Sequence, residues 1–212
     1  MEPSTGLIAT GFGVLVTREV RWFTPGEVPD AVRDWFTAGG RLGFREERLD
    51  RYDRPSAFRG IGVKYRGTMS LDAKHLLRAT EDVDLGSGIR GRVEDWVKVV
   101  KPIPENHPRI VEQLVVVEKE LLTRVYRSGD VTIDGGGHGF GCEVELAALR
   151  VAGHTAWSLC LESFGDPSRR DVALTGGLAS FLADTPIPAG MAVTSSDSRG
   201  YPTWVSQFAD AA

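Results

Sequence analysis

Apolar and polar residues alternate along eight segments of this chain, and this alternation restricts the possible folds more than any other feature. A period of two places every second side chain on the same face of a β-strand. The segments with this pattern are 17–23, 45–52, 60–66, 69–76, 92–100, 114–126, 141–149 and 156–163. Helical spacing occurs at residues 25–36 and 168–182, and a short helical turn at 108–113 is compatible with the sequence. The sequence therefore predicts a mainly β (α+β) fold: an antiparallel β-barrel of about eight strands, closed or nearly closed, with a few helices packed outside.

Length and charge narrow the class of protein further. A chain of 212 residues fits a single barrel domain over 1–212, with a C-terminal helix and tail at about 168–212 packed on it. The formal net charge of −4 argues against a nucleic-acid partner. There is no apolar run of about 18 residues, as a membrane span requires, and no basic leader at the start. We therefore expect a cytoplasmic protein that binds neither nucleic acid nor membrane.

Charged residues occupy one face of most predicted strands. Examples are Glu19 with Arg21, and Glu143 with Glu145. The other same-face sets are Lys64 with Arg66, Asp72 with Lys74, Glu94 with Lys98, and Glu118 and Glu120 with Arg124 and Tyr126. The ordinary interpretation is that such faces contact water. The alternative is that the apolar faces carry the helices outside, while the charged faces line the barrel.

The second arrangement would create a ligand site. A barrel of about eight strands is wide enough inside for side chains or one small ligand. Charges buried there without a purpose would be costly, so an interior of both signs predicts a polyanion held together with a metal ion. Glu162 shares a strand face with Ser158 and Cys160 and has apolar sequence neighbours. It is a further candidate metal ligand or base.

Short motifs along about 14–165 resemble those of one known family. In Thr17-Arg18-Glu19-Val20-Arg21, Glu19 and Arg21 match the last two positions of a Glu-x-Glu-x-Lys strand, and Thr17 departs from the first. Similar to later motifs of the same family are Asp50-Arg51-Tyr52-Asp53, Gly62-Val63-Lys64-Tyr65-Arg66, Leu71-Asp72-Ala73-Lys74, Arg124 and Glu143-Val144-Glu145. The family is the CYTH superfamily, the triphosphate tunnel metalloenzymes.

The resemblance implies a metal-dependent phosphohydrolase that acts on a small organic or inorganic triphosphate or polyphosphate inside a charged tunnel. It implies Mg²⁺ or Mn²⁺ as the cofactor, because such hard cations prefer oxygen ligands. The candidate metal ligands are Glu19, Glu143, Glu145 and Glu162, and the candidate catalytic residues are Glu19, Glu145 and Arg124. The candidate substrate contacts are Arg21, Lys64, Arg66, Lys74, Lys98 and Tyr52.

Two other functions are compatible with the residues. A non-catalytic barrel of this type could bind an anionic metabolite or a partner, and Thr17 in place of the first Glu favours this alternative. A carrier for an apolar ligand would need the apolar faces to point inward. Trp157, Leu159 and Leu161 packed against helices outside the barrel would exclude it.

Under the leading hypothesis, Glu145→Gln should lower activity steeply and leave the barrel folded. The barrel would gain stability from the substitution if carboxylate repulsion is lost.

Overall fold

Eight antiparallel strands close into a barrel in the computed structural model, which describes residues 13–38, 44–53, 60–66, 70–103, 114–128, 140–188, 191 and 193–209. The strands are β1 (Gly13–Pro25), β2 (Phe44–Tyr52), β3 (Ile61–Arg66), β4 (Ser70–Gly86), β5 (Ile89–Pro102), β6 (Val115–Ser128), β7 (Phe140–Val151) and β8 (His154–Phe164). Their order around the barrel is β1-β5-β4-β3-β2-β6-β7-β8, and the pairing of β8 with β1 closes it. The predicted fold class is confirmed.

The largest difference from the predicted strands is the length of β4 and β5. Their pairing continues past the predicted ends to a tight turn between Gly86 and Ile89, with register shifts along the way. Each shift moves the following side chains to the other face of the strand. Alternation is therefore lost there although the backbone stays extended, which explains why a period of two did not reveal this hairpin.

Two helices cover part of the outer wall. They are α1 (Asp30–Ala38) and α2 (Arg170–Asp184), within a few residues of the predicted positions. The apolar face of β8 packs beneath them: Trp157, Leu159 and Leu161 share one buried cluster with Leu174, Leu178 and Phe181. This packing excludes the apolar-ligand carrier, because the apolar face that Trp157, Leu159 and Leu161 form on β8 points outward against the helices. Among the helices that the structure describes, none is long and apolar enough to cross a membrane.

A third helix, α3 (Tyr201–Val205), covers one end of the barrel. Its Trp204 and Val205 belong to a second buried cluster, whose other members are apolar side chains from the inner faces of the strands. Gly62 on β3 allows this close approach, because a Cβ there would lie 2.6 Å from Cγ of Pro202. The inside of the barrel is therefore apolar at the α3 end.

Two adjacent glycines in α2 provide a test of the packing between this helix and the sheet. A side chain at Gly177 would collide with Cys142 on β7, whereas one at Gly176 meets nothing within 4 Å. We expect Gly177→Ala to lower the free energy of unfolding by about 1–3 kcal/mol through overpacking. Gly176→Ala should raise it by about 0.5–1 kcal/mol, since alanine is the better helix former. Urea denaturation of both variants checks this, and equal effects would contradict the packing of α2 on β7.

Candidate functional site

Ion pairs between strands that are not neighbours show that the charged faces line the inside of the barrel. Arg21 Nη1 on β1 lies 2.7 Å from Glu145 Oε1 on β7, although β8 separates the two strands. Lys74 Nζ on β4 lies 2.7 Å from Glu19 Oε2 on β1 and 3.9 Å from Glu162 Oε1 on β8. Such contacts form only across the interior.

Strand pairing places most of the other predicted site residues on the same inner faces. Residues directly opposite in an antiparallel pair point to the same side of the sheet. Lys98 lies opposite Lys74, and Glu143 lies opposite Glu162. The predicted site residues on inner faces are Glu19, Arg21, Tyr52, Lys64, Arg66, Lys74, Lys98, Glu143, Glu145 and Glu162. Their chemical roles stay predictions.

Arg124 does not join this group. It is fully buried on the outer face of β6, where its guanidinium lies 5.4 Å from the ring centroids of Phe36 on α1 and Phe181 on α2. It donates a hydrogen bond to the carbonyl oxygen of Phe36, near the C-terminal end of α1. The predicted contact of Arg124 with a phosphate inside the barrel does not fit this position. The physical reason is that β6 carries charged residues on both faces, and its neighbours in the barrel decide which face is inside.

Removal of the Arg124 guanidinium tests this placement. Because the side chain is separated from the interior by the sheet, we expect Arg124→Met to leave any phosphate-releasing activity within about twofold of the unsubstituted protein. Values of kcat/KM for phosphate release give the comparison, with thermal melting to confirm folding. A loss as large as that of Arg21→Met would place Arg124 in the site after all.

The Arg21–Glu145 pair is the centre of the interior charges. Burial by itself would raise the pKa of Glu145, but Arg21, Arg48 and Lys119 outweigh it and lower the pKa to about 2. Arg21 is 5% exposed, and its Nη1 also donates to Ser158 Oγ at 3.1 Å. Glu145 is thus the partner of a buried cation. This pairing argues against the expected gain in stability from Glu145→Gln, because the substitution would leave Arg21 without its counter-ion.

Carboxylate repulsion is instead concentrated at Glu143. Burial and the nearby charges of Glu145 and Glu162 raise its pKa from 4.5 to about 7. At its partner Glu162, burial opposes the charged form, but Lys74 and Lys98 outweigh it and lower the pKa. Both side chains are half-buried, toward the end of the barrel away from α3. A cation between Glu143 and Glu162 would relieve this repulsion.

This pair fits the coordination habits of Mg²⁺ better than the full predicted ligand set does. Magnesium commonly reaches a protein through one or two carboxylates and completes its shell with water and phosphate oxygens. Glu19 and Glu145 are already paired with Lys74 and Arg21. In the part of the chain that the structure describes, no group of three or more His, Cys, Asp or Glu side chains is placed to hold a metal ion. The donor set therefore fits an ion that is shared with a phosphate ligand.

A second set of interior charges lies deeper, around Asp50. Lys119 Nζ lies 2.8 Å from Asp50 Oδ2 and donates to the hydroxyl of Tyr52 at 2.7 Å, while Lys64 Nζ lies 3.3 Å from the same Asp50 oxygen. Burial lowers the pKa of Lys119 to about 7, and Asp50 only partly offsets this. The predicted substrate contact Tyr52 is therefore engaged with a lysine that the sequence did not single out.

Among the described interior residues, Lys119, Arg48 and Tyr201 were not singled out by the sequence pattern, for different reasons. Lys119 lies between Glu118 and Glu120, so the sequence shows charged residues on both faces of β6. The residues at 115, 117 and 121 share the face of Lys119 and are apolar, so they predict an apolar face there. Arg48 lies in a run of charged residues with no alternation. Tyr201 belongs to the tail, which the sequence predicts to fold back through Tyr201 and Trp204, but no periodicity predicts that Tyr201 enters the barrel.

Comparison with known proteins yields structural likeness at low identity. No protein-family model and no curated protein matches the chain. A conserved hypothetical protein from Pyrococcus furiosus is 16% identical, with a TM-score of 0.45 over 87% of this chain and 98% of its own. A Hippeastrum protein that was assigned as an adenylyl cyclase and is described as having a dominant triphosphatase activity is 14% identical, with a TM-score of 0.42 over 84% of this chain and 92% of its own. At these values the likeness assigns no residue role and no reaction to this chain.

Proposed function

We propose that the barrel binds a small organic or inorganic triphosphate or polyphosphate in its charged interior and hydrolyses it with the help of Mg²⁺ or Mn²⁺. The observation that carries this proposal is the convergence of cationic side chains from separate strands on one interior. Arginine and lysine are the side chains that best neutralise phosphoryl oxygens. The resemblance of the strand motifs to the CYTH superfamily points the same way.

Among the described interior cations, Lys98 is the one least engaged with the protein itself. Lys98 makes no ion pair of 4.0 Å or shorter among the described residues, and burial lowers its pKa, with Lys74 and Arg66 adding repulsion. Lys74 is shared between Glu19 and Glu162. A phosphate chain would give Lys98 an anionic partner and compete with Glu162 for Lys74. The ligand would thereby reduce repulsion that the free protein carries.

The carboxylates divide into two roles under this proposal. Glu143 and Glu162 hold the divalent ion, whereas Glu145 and Glu19 orient Arg21 and Lys74 toward the phosphates. When bound, the ion neutralises phosphoryl charge and favours attack by water in line with the leaving phosphate. The guanidinium of Arg21 has N–H donors in a planar fork, so it can bind two oxygens of one phosphoryl group. The β-sheet wall limits the water around the reacting group.

Two lysines on β5 provide the matched test of this proposal. Lys98 points into the barrel, whereas Lys101 pairs opposite Leu71 on the outer face and is exposed. With tripolyphosphate, thiamine triphosphate or ATP and either metal ion, we expect phosphate release that Lys98→Met lowers at least about tenfold. Lys101→Met should leave it unchanged. No phosphate release from any of these substrates by the folded protein would contradict the proposal.

A non-catalytic anion binder is the second candidate, and one observation favours it. Glu19 and Glu145, two of the carboxylates that the resemblance assigns to the metal, are each held by a cation, and Thr17 stands where the family has its first Glu. Calorimetry separates the two candidates. Tight binding of tripolyphosphate without metal, together with no phosphate release when metal is added, would favour the binder.

A further inference from the structure

The C-terminal segment carries one tyrosine from α3 into the charged interior. Tyr201 is the first residue of α3, and its ring lies edge-on to Phe23, with the centroids 5.2 Å apart. Trp204, one turn further on, stacks on the same Phe23 at 4.6 Å. These apolar contacts anchor α3 across the end of the barrel, so the position of the Tyr201 ring is set by packing.

Two of the interior cations lie over the ring of Tyr201. The Arg21 guanidinium carbon is 4.4 Å from the ring centroid, and Lys119 Nζ is 3.7 Å from it. Tyr52 stacks on the same ring, with the centroids 5.8 Å apart and the planes at 18°. A ring held by two cations and by three aromatic neighbours, Phe23, Tyr52 and Trp204, has little freedom to move. The phenolic oxygen is therefore at a defined place beside the Arg21–Glu145 pair.

The hydroxyl of Tyr201 is buried and has no hydrogen-bond partner among the described residues, and the same is true of Nε of Arg21. Buried polar groups are nearly always hydrogen-bonded, so two unpaired donors close to one another need an explanation. Burial raises the pKa of Tyr201, so the group keeps its proton and can donate. Among the neighbouring carboxylates, Glu145 is paired with Arg21 and Oδ2 of Asp50 is paired with Lys119, while Oδ1 of Asp50 also has no hydrogen-bond partner among the described residues. The unpaired donors match an acceptor-only oxygen, such as that of a phosphoryl group.

We propose that the hydroxyl of Tyr201 is the innermost hydrogen-bond donor of the ligand site and binds the terminal phosphoryl group of a linear polyphosphate that reaches the α3 end of the interior. This inference rests on the proposed binding of polyphosphate, and it adds the C-terminal segment to the site. A ligand that extends from Lys74 and Lys98, the lysines beside Glu162, past Arg21 would reach Tyr201, because Arg21 lies 4.4 Å from the centroid of the Tyr201 ring. A single phosphate held by Lys74 and Lys98 would not. Tyr201 therefore selects ligands by chain length.

Substitution by phenylalanine isolates the hydroxyl, because the ring and its cation contacts remain. Calorimetric titration with inorganic tripolyphosphate and with inorganic phosphate, in the absence of metal, is expected to show that Tyr201→Phe weakens tripolyphosphate binding about tenfold or more, as for the loss of one hydrogen bond to a charged group. Phosphate affinity should stay within about twofold. A merely structural role for Tyr201 would shift both affinities together. The control is Tyr126→Phe, because the hydroxyl of Tyr126 lies outside the barrel, 3.2 Å from Asp184.

The outcomes separate this inference from the proposed function. Equal tripolyphosphate affinity in folded Tyr201→Phe and in the unsubstituted protein would overturn the inference and leave the proposed function standing. Chain-length selection by Tyr201 without any phosphate release would support the inference and overturn the hydrolase. No binding of tripolyphosphate by the unsubstituted protein would overturn both.

Discussion

At pH 8, the Glu143→Gln variant is expected to unfold with a free energy about 3 kcal/mol larger than that of the unsubstituted protein. The native pKa of Glu143 is about 7 against an ordinary value of 4.5, because burial and two neighbouring carboxylates disfavour its charge. The native state thus holds a proton that the unfolded state has lost between these pH values. The contribution of protonated Glu143 to the free energy of unfolding is fully present below about pH 4.5 and is lost as the pH rises through about 7. Glutamine keeps the shape and removes this loss.

Urea denaturation at pH 4 and pH 8 measures the effect, and the neighbouring Glu145→Gln is its control. Because Arg21 holds the pKa of Glu145 at about 2, that carboxylate stabilises the protein above about pH 4.5 and loses its contribution as the pH falls toward 2. Two substitutions of the same chemistry, two residues apart on β7, should therefore change stability at pH 8 in opposite directions. If both variants were destabilised equally, the assignment of repulsion to Glu143 would be wrong.

The same Glu143→Gln variant tests the proposed metal site through a different measurement. Removal of one of two carboxylate ligands should weaken Mg²⁺ binding and lower metal-dependent phosphate release about a hundredfold or more. A more stable protein with less activity is the expected combination, since groups arranged for ligand binding often reduce stability. Unchanged Mg²⁺ dependence in Glu143→Gln would remove this residue from the metal site.

Arg21→Met is expected to lower the free energy of unfolding by about 3–5 kcal/mol, because it leaves a buried carboxylate without its partner. Arg21 is 5% exposed and lies 2.7 Å from Glu145, so little water can replace the lost charge. The variant should also lose tripolyphosphate affinity about a hundredfold, as a direct phosphate contact is removed. Chemical denaturation and calorimetry give the two values separately.

A surface ion pair supplies the comparison for Arg21. Arg33 on α1 lies 3.1 Å from Glu120 on the outer face of β6, and both side chains are partly exposed. Arg33→Met should cost at most about 1 kcal/mol and leave ligand affinity unchanged. The double variant Arg21→Met with Glu145→Gln should recover part of the lost stability, because no unpaired charge then remains inside. A cost for Arg21→Met no greater than for Arg33→Met would mean that the Arg21–Glu145 pair is well hydrated.

The strands were predictable because their signal is local. A period of two depends only on one face meeting apolar neighbours and the other face a polar environment, so each strand could be located without its partners. Where the pairing of β4 and β5 continues past the predicted ends with shifts of register, the signal fails and so did the prediction. The candidate site followed from the same pattern on the strands whose two faces differ clearly, as with Glu19 and Arg21 or Glu143 and Glu145.

Contacts between distant segments had to be read from the tertiary structure. Alternation could not say whether Lys119 or Arg124 faces inward, because β6 carries charge on both faces and only its position between β2 and β7 selects one. Alternation also could not predict that the pKa of Glu143 is raised while that of Glu145 is lowered. This difference arises because closure of the barrel brings Arg21 within 2.7 Å of Glu145. Tyr201 reaches the interior only because α3 packs on Phe23 and Gly62. The sequence by itself determined that charge would line one face of a β-barrel. The tertiary structure decided which charges neutralise each other and which are left for a ligand. The physical reason is that electrostatic interactions depend on distances across the barrel, which no local period encodes.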